Sequence, residues 1–159
     1  GFNPEAKSPM GALGLMQLMP RTVKYTADRL APTLGNAKPD WSDPETNMAL
    51  GQEYVQYLLE DSNVNGDLLL MAAAYNAGPG NLAKWRDKLA YDDDPLLFLE
   101  SMPSRETRDF AERVLASMWI YQQRLNQDSP SLDALAAGGW PHYRPQDDEA
   151  VAAAANASN

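Results

Sequence analysis

Apolar residues recur at spacings of three and four along most of the chain, which is the period of helices that bury one face. The longest repeat predicts a helix from about Ser104 to Leu125. Its apolar stripe consists of Thr107, Phe110, Val114, Met118, Tyr121 and Leu125. No segment alternates apolar and polar residues convincingly, as a half-buried strand does. The pattern therefore predicts a nearly all-α protein of about six or seven helices joined by short loops.

Residues that suit helix ends mark two further helices. In "DPETNMALGQEYVQYLLED", Asp43 can accept from free backbone N–H groups and Pro44 suits the first helical position. The predicted buried side of this helix consists of Met48, Gly51, Val55, Leu58 and Leu59. The segment "DLLLMAAAYNAG" is apolar nearly all round, which predicts a central helix that Gly78 and Pro79 end.

Four shorter helices complete the expected set. They are an apolar helix after Gly11 that Pro20 interrupts, a helix from Thr22 to about Leu34, "GNLAKWRDKL" and "DPLLFLESM". Gln17 lies in the first of these, where an unpaired buried amide would cost about 1–3 kcal/mol. A partner for this amide is therefore expected, and a ligand is one candidate.

The character of the chain changes after Gln127. Residues 1–127 are expected to form a single domain, and residues 128–145 an extension that packs back on it through Leu132, Leu135 and Trp140. The Ala-rich residues 146–159 have no core to join, and we expect a disordered tail there.

Composition excludes several classes of function. The formal net charge of −9 argues against non-specific binding of nucleic acid. Without cysteine the chain has no disulfide, thiolate nucleophile or Cys-based zinc site, and the single histidine, His142, excludes a histidine triad or a multi-histidine metal site. No metal, nucleotide or flavin motif is present, so we expect no cofactor. No run of about 18 apolar residues is present to cross a membrane.

Three segments stand out from this helical background: "GFNPEAKSPMGALGLMQLMP", "AAAYNAGPG" and "FLESMPSRETRDF". Each alone has a structural explanation, as a helix entry, a helix ending in Gly-Pro and a loop between helices. The second is unusual, because Tyr75 and Asn76 place two hydrogen-bonding groups at the end of a helix otherwise suited to burial.

Together and in this order, the three segments resemble the lytic transglycosylases of the soluble murein transglycosylase (SLT) type. The resemblance covers about Gly1 to Leu125 and implies an all-α, lysozyme-like fold, shared with goose-type lysozymes. It also implies cleavage of the β-1,4 bond between N-acetylmuramic acid and N-acetylglucosamine, with formation of a 1,6-anhydro end. The implied partner is the glycan strand of peptidoglycan, in the bacterial periplasm or cell envelope, and we expect a monomer without metal.

The resemblance assigns substrate-binding roles to six residues. These are Ser8, Gln17, Met19, Tyr75, Asn76 and Glu100. Without the resemblance, Ser8 suits a turn, Met19 a core position, Tyr75 a structural hydrogen bond and Glu100 solvent. Phe110 stands where the family often carries a tyrosine, which removes one hydroxyl from the expected cleft.

The resemblance places the family's catalytic glutamate two positions before Gly1. No catalytic residue is therefore expected within the 159 residues, and we expect an N-terminally truncated fragment that is inactive as printed. Glu5 does not substitute for it, since it stands beside Lys7 in a polar turn and suits a surface charge.

Three alternatives stay open at the level of sequence. A goose-lysozyme-like hydrolase would cut the same bond but add water, and a non-catalytic peptidoglycan-binding module would bind the strand without cutting it. A purely structural helical protein would do neither.

Overall fold

The computed structural model describes residues 3–34 and 40–145, and these residues contain seven helices and only isolated β-bridges. The helices are α1 (Pro20–Leu34), α2 (Pro44–Glu60), α3 (Leu68–Ala77), α4 (Pro79–Lys88), α5 (Pro95–Ser101), α6 (Arg105–Arg124) and α7 (Pro130–Ala136). The predicted all-α fold is confirmed. The chain divides into two compact units between Leu58 and Leu59, which is in the last turn of α2.

The first unit contains a loop, residues 3–19, followed by α1 and most of α2. The predicted apolar helix after Gly11 is wrong, because Leu13 and Leu18 exchange backbone hydrogen bonds around a tight turn. Gly11, Gly14 and Gln17 have positive φ angles of 87°, 72° and 47°, which no α-helix contains. Pro20 begins α1 instead of interrupting a helix, as its fixed φ suits the first turn.

Helix α2 begins where the sequence predicts, and Gly51 and Leu58 of its predicted side are buried. Asp43 accepts a hydrogen bond from the Thr46 backbone N–H at 2.8 Å, and Pro44 follows at the first helical position. The predicted burial of Met48 is wrong, since this side chain is exposed. Its neighbour Asn47 is buried instead, because the loop of residues 3–19 supplies hydrogen-bonding partners for its amide.

The second unit is built around α3, which packs against α6 and α4. The first seven residues of α3 are buried, as its uniformly apolar sequence predicts. Asp67 caps its N-terminus by accepting from the Leu70 N–H at 2.8 Å, and Gly78 ends it with a φ of 87°. The predicted starts of α5 at Asp94 and of α6 at Ser104 are confirmed by capping hydrogen bonds.

Helix α6 buries a stripe that is displaced from the predicted one. Thr107 of the predicted stripe is buried, together with Ala111 and Leu115, whereas Tyr121 and Leu125 of that stripe are exposed. Three of the seven buried residues of α3 and one of the three buried residues of α6 are alanines. Small residues let two helix backbones approach closely, and the pattern of large apolar residues does not reveal such a contact.

The segment after α6 contacts other parts of the second unit at several points. The Trp119 indole N–H donates to Ser131 Oγ in α7 at 2.9 Å, and the Trp140 indole N–H donates to Asp93. Trp140 also packs edge-on against Tyr91, with ring centroids 6.1 Å apart. Further along, Leu68 N–H donates to the Pro141 carbonyl and Tyr143 N–H donates to the Gly66 carbonyl. The predicted tail, residues 146–159, lies outside the described residues.

Candidate functional site

In the first unit, the loop of residues 3–19 carries three of the residues proposed from the sequence. Ser8 Oγ accepts from the Ala12 backbone N–H at 2.9 Å, and the Ser8 backbone N–H donates to the Ala12 carbonyl at 3.0 Å. Ser8 therefore closes a turn. Its hydroxyl hydrogen is not used by any described residue, so it is available to donate to a ligand.

Gln17 lies exposed on the same loop, and its amide nitrogen is held by backbone. The Nε2 atom donates to the Gly14 carbonyl at 2.8 Å and to the Ala6 carbonyl at 3.3 Å. These bonds answer the question raised by the sequence, since the amide has partners within its own loop. They also fix its orientation, and the amide oxygen accepts no hydrogen bond from the described residues. A rigid acceptor of this kind suits a sugar hydroxyl or an acetamido N–H.

Met19 lies at the end of the loop, immediately before α1. Its side chain is 43% exposed, so the alternative explanation of a core position does not apply. An exposed thioether offers a soft apolar surface that can pack against a ligand.

The side chain of Asn47 in α2 holds this loop by hydrogen bonds to its backbone. This residue was not among those proposed from the sequence. Its Oδ1 accepts from the Met16 N–H at 2.8 Å, while its Nδ2 donates to the carbonyls of Leu13 and Trp41 at 3.3 and 3.1 Å. Gly51, one turn further along α2, leaves room for Met16: a Cβ at Gly51 would lie 2.5 Å from Met16 Cγ. Asn47 stands beside apolar residues in a predicted helix. Because buried polar groups normally have partners, this position in the sequence could have indicated a hydrogen-bonded amide.

In the second unit, Tyr75 lies at the C-terminal end of α3 and stacks on Phe110 of α6. The two ring centroids are 6.0 Å apart and the planes differ by 8°. This contact gives Phe110 a packing role that needs no hydroxyl. Tyr75 is half-buried, and the contact fixes the plane of its ring.

Asn76 is held in place by a short chain of hydroxyl groups. Thr107 Oγ1 lies 2.7 Å from Asn76 Oδ1 and 2.8 Å from Ser104 Oγ. Because a hydroxyl has one hydrogen, a donation from Thr107 to Asn76 leaves Ser104 to donate to Thr107. The Asn76 amide nitrogen then has two N–H groups that no described residue accepts. Thr107 is thus a positioning residue, although its place in the sequence pattern indicates only a position on the apolar stripe of α6.

Glu100 lies exposed on α5 and has no ion-pair partner among the described residues. The following turn is fixed by Arg108, which donates from Nη1 to the Met102 carbonyl. Arg108 therefore stabilises the turn between α5 and α6. Arg105 lies 3.7 Å from Asp109 on its own helix.

The structure thus groups the proposed residues within each unit. Ser8, Gln17 and Met19 share one loop, and Tyr75 and Asn76 share the end of α3 beside α6. Within the part of the chain that the structure describes, no group of three or more His, Asp or Glu side chains is placed to hold a metal ion. No helix among the described residues is long and apolar enough to span a membrane.

Comparison with known proteins matches the chain to one family. A family model described as "Transglycosylase SLT domain" matches residues 1–95, which include both groups of residues apart from Glu100 and the α6 contacts. The soluble lytic murein transglycosylase of Escherichia coli (strain K12) is 37% identical over 139 residues. That match covers 87% of this chain and 21% of the relative.

Solved structures give the same result. The 70 kDa soluble lytic transglycosylase of Escherichia coli superposes with a TM-score of 0.70 at 36% identity, covering 79% of this chain and 20% of that one. An inactive mutant of the lytic transglycosylase Slt from Pseudomonas aeruginosa superposes with a TM-score of 0.69 at 36% identity, covering 80% of this chain and 20% of that one. The chain therefore spans about a fifth of the length of these relatives.

Proposed function

Because this chain belongs to the transglycosylase SLT domain family, we propose that it forms part of a lytic transglycosylase acting on peptidoglycan. The reaction cleaves the β-1,4 bond between N-acetylmuramic acid and N-acetylglucosamine and leaves a 1,6-anhydro end. The family match over residues 1–95 is the observation that carries the proposal. The proposed substrate is the glycan strand of the bacterial cell wall, which places the reaction in the periplasm or cell envelope.

The side chains in each unit have the chemistry that an amino-sugar strand needs. In the first unit, Gln17 presents a fixed acceptor and Ser8 a hydroxyl donor, while Met19 offers an apolar surface. In the second unit, the N–H groups of Asn76 suit an acetamido or hydroxyl oxygen. Tyr75 contributes to the same subsite, and Glu100 accepts from sugar hydroxyls. Neutral polar groups on a rigid frame bind uncharged sugars without a large desolvation cost.

The proposed chemistry needs one carboxylic acid that is protonated at neutral pH. It donates a proton to the glycosidic oxygen and then accepts one from the C6 hydroxyl of the muramyl residue, so no water enters the product. Burial of a carboxyl group raises its pKa into the required range. Asp67 is the buried carboxyl group of the described residues, but it is 1% exposed and caps α3, so it cannot reach a substrate. We place the acid two positions before Gly1, as the resemblance implies.

The test compares two proteins that differ at a single residue. One carries Glu-Ser before Gly1 and the matched control carries Gln-Ser, and both are incubated with purified peptidoglycan. We expect 1,6-anhydro muropeptides, detected by mass spectrometry, from the glutamate form only. The glutamine form controls for contaminating enzymes, and circular dichroism verifies that both are folded.

Three outcomes contradict the proposal. Products that carry one added water indicate a goose-lysozyme-like hydrolase. Binding of the strand without cleavage by the folded glutamate form indicates a binding module. Equal product from both forms indicates that the acid lies elsewhere.

A further inference from the structure

A groove separate from the residues considered above lies between α6, α7 and the segment that follows α7. Its cavity volume is about 440 Å³, within the range of small-ligand sites. The lining residues are Leu68, Met118, Tyr121, Gln122, Gln127, Pro130, Ser131, His142, Tyr143 and Arg144. We call it the α6–α7 groove. All of its lining except Leu68 lies outside the residues 1–95 that match the family model.

One buried oxygen without a hydrogen-bond partner belongs to a residue that lines this groove. Among the described residues, three buried side-chain oxygens have no hydrogen-bond partner: Asp67 Oδ2, Gln122 Oε1 and Ser129 Oγ. Gln122 lines the groove, and Asp67 and Ser129 immediately precede the lining residues Leu68 and Pro130. An unpartnered buried oxygen is unfavourable, and such atoms are rare in folded proteins. The unpartnered Gln122 Oε1 at this cavity indicates a missing partner that donates a hydrogen bond.

Two tyrosines on the lining add apolar surface. Tyr121 is 58% exposed and Tyr143 is 48% exposed, so neither ring is used to fill the core. An exposed aromatic ring can pack against the C–H face of a pyranose. The exposed side chains of His142 and Arg144 also line the groove, and the positive charge of Arg144 disfavours a cationic ligand.

We propose that the α6–α7 groove binds an N-acetylated amino sugar and serves as a second contact for the glycan strand. Sugar hydroxyls and acetamido N–H groups supply the donor that Gln122 Oε1 lacks, and the ring faces pack on the two tyrosines. A small rotation of the Gln122 side chain, whose amide is bonded to no described residue, brings its oxygen to the ligand. This inference rests on the proposed function, since it assumes an amino-sugar substrate.

The indole N–H of Trp119 reports on the groove, because it donates to Ser131, a lining residue, at 2.9 Å. The test titrates the ¹⁵N-labelled 159-residue chain with N,N′,N″-triacetylchitotriose and follows the indole signals by NMR. We expect a saturable shift of the Trp119 signal. The Trp140 indole, bonded to Asp93, is the internal reference and should move little.

Matched variants on α6 locate the binding. Tyr121→Ala should raise the Kd measured at Trp119 about tenfold, since it removes an aromatic contact face. Ile120→Ala changes a neighbouring side chain of similar exposure that does not line the groove, and it should leave the Kd unchanged. Tyr143→Ala, on a different segment, should repeat the effect of Tyr121→Ala.

Two results would overturn the inference. One is a Trp119 signal that stays in place while backbone signals of Gln17 or Asn76 shift, in which case water alone fills the groove. The other is equal affinity of the Tyr121→Ala and Ile120→Ala proteins. Neither result affects the proposed reaction, because that is judged by anhydro product from the glutamate-extended chain. Conversely, absence of product with an intact Trp119 response rejects the reaction and keeps the groove.

Discussion

The amide of Asn47 occupies the space that any side chain on Gly14 would need. A Cβ built on Gly14 would lie 2.2 Å from Asn47 Nδ2 and 2.5 Å from its Cγ. Gly14 also has a φ of 72°, a conformation that L side chains rarely adopt. The close contact between Gly14 and the buried Asn47 amide thus adds to the hydrogen bonds that hold this loop against α2.

This contact predicts that Gly14→Ala destabilises the first unit. The backbone strain at positive φ and the overlap with Asn47 should together lower the free energy of unfolding by about 2 kcal/mol or more. Urea denaturation followed by circular dichroism measures the change. Gly80→Ala is the matched control, because a Cβ there meets no atom within 4 Å, and its stability should stay within about 0.5 kcal/mol of the parent. Equal stability of the two variants would contradict this explanation of Gly14.

Asn47→Asp tests the hydrogen bonds of the same amide. The substitution keeps the shape but replaces Nδ2, which donates to the carbonyls of Leu13 and Trp41, by an oxygen. At pH 7 a buried carboxylate would face two carbonyl oxygens, so we expect a loss of about 3 kcal/mol in the free energy of unfolding. Asn81→Asp removes a comparable bond, to Ala77, at an exposed position and should cost less than about 1 kcal/mol. Similar costs for the two variants would show that the Asn47 amide is not essential to the loop.

The sequence predicted most helices because each carries local signals. Asp43, Asp94 and Ser104 cap helices by accepting backbone N–H groups, and Gly78 ends α3 as predicted. These features depend on residues within a few positions of each other. The family resemblance likewise came from short segments, and the match over residues 1–95 confirms it.

The features that the sequence did not predict depend on contacts between residues far apart in the chain. The segment from Gly11 to Met19 has an apolar composition, but Asn47, 31 residues after Met16, holds it as a turn. The exposure of Met48 and the displaced stripe on α6 have the same origin, because the choice of buried face depends on the neighbouring element. The orientation of Asn76 depends on Thr107, 31 residues away, and no local pattern indicates that pair.

Thr107→Val should weaken substrate binding by releasing Asn76. Valine keeps the shape of the buried side chain but cannot donate to Asn76 Oδ1, so the amide loses its fixed orientation. In the glutamate-extended chain, we expect kcat/KM for anhydro-product formation to fall about tenfold, mainly through KM, which corresponds to about 1.4 kcal/mol. Thr107→Ser keeps the hydroxyl and should retain most of the activity. If Thr107→Val loses stability but keeps its KM, the hydroxyl chain is structural only.

The last prediction concerns the pH dependence of stability. Burial raises the pKa of Asp67 from its ordinary 3.8 to about 6, and the capping bond to Leu70 and the nearby His142 and Arg86 only partly offset this effect. Between about pH 4 and 6 the folded state therefore holds a proton that the unfolded state has lost. The free energy of unfolding should fall as pH rises through this window, by up to about 3 kcal/mol from this group.

Asp67→Asn isolates that contribution, since asparagine caps the helix without titrating. Relative to the parent chain, the variant should gain up to about 3 kcal/mol on going from pH 4 to pH 7, measured by urea denaturation at each pH. Asp94→Asn makes the same chemical change at an exposed cap, where Oδ1 accepts from Leu96 and Leu97, and it controls for effects of capping alone. A constant difference between Asp67→Asn and the parent chain across this range would mean that folding does not raise the pKa of Asp67, contrary to the effect expected from its burial.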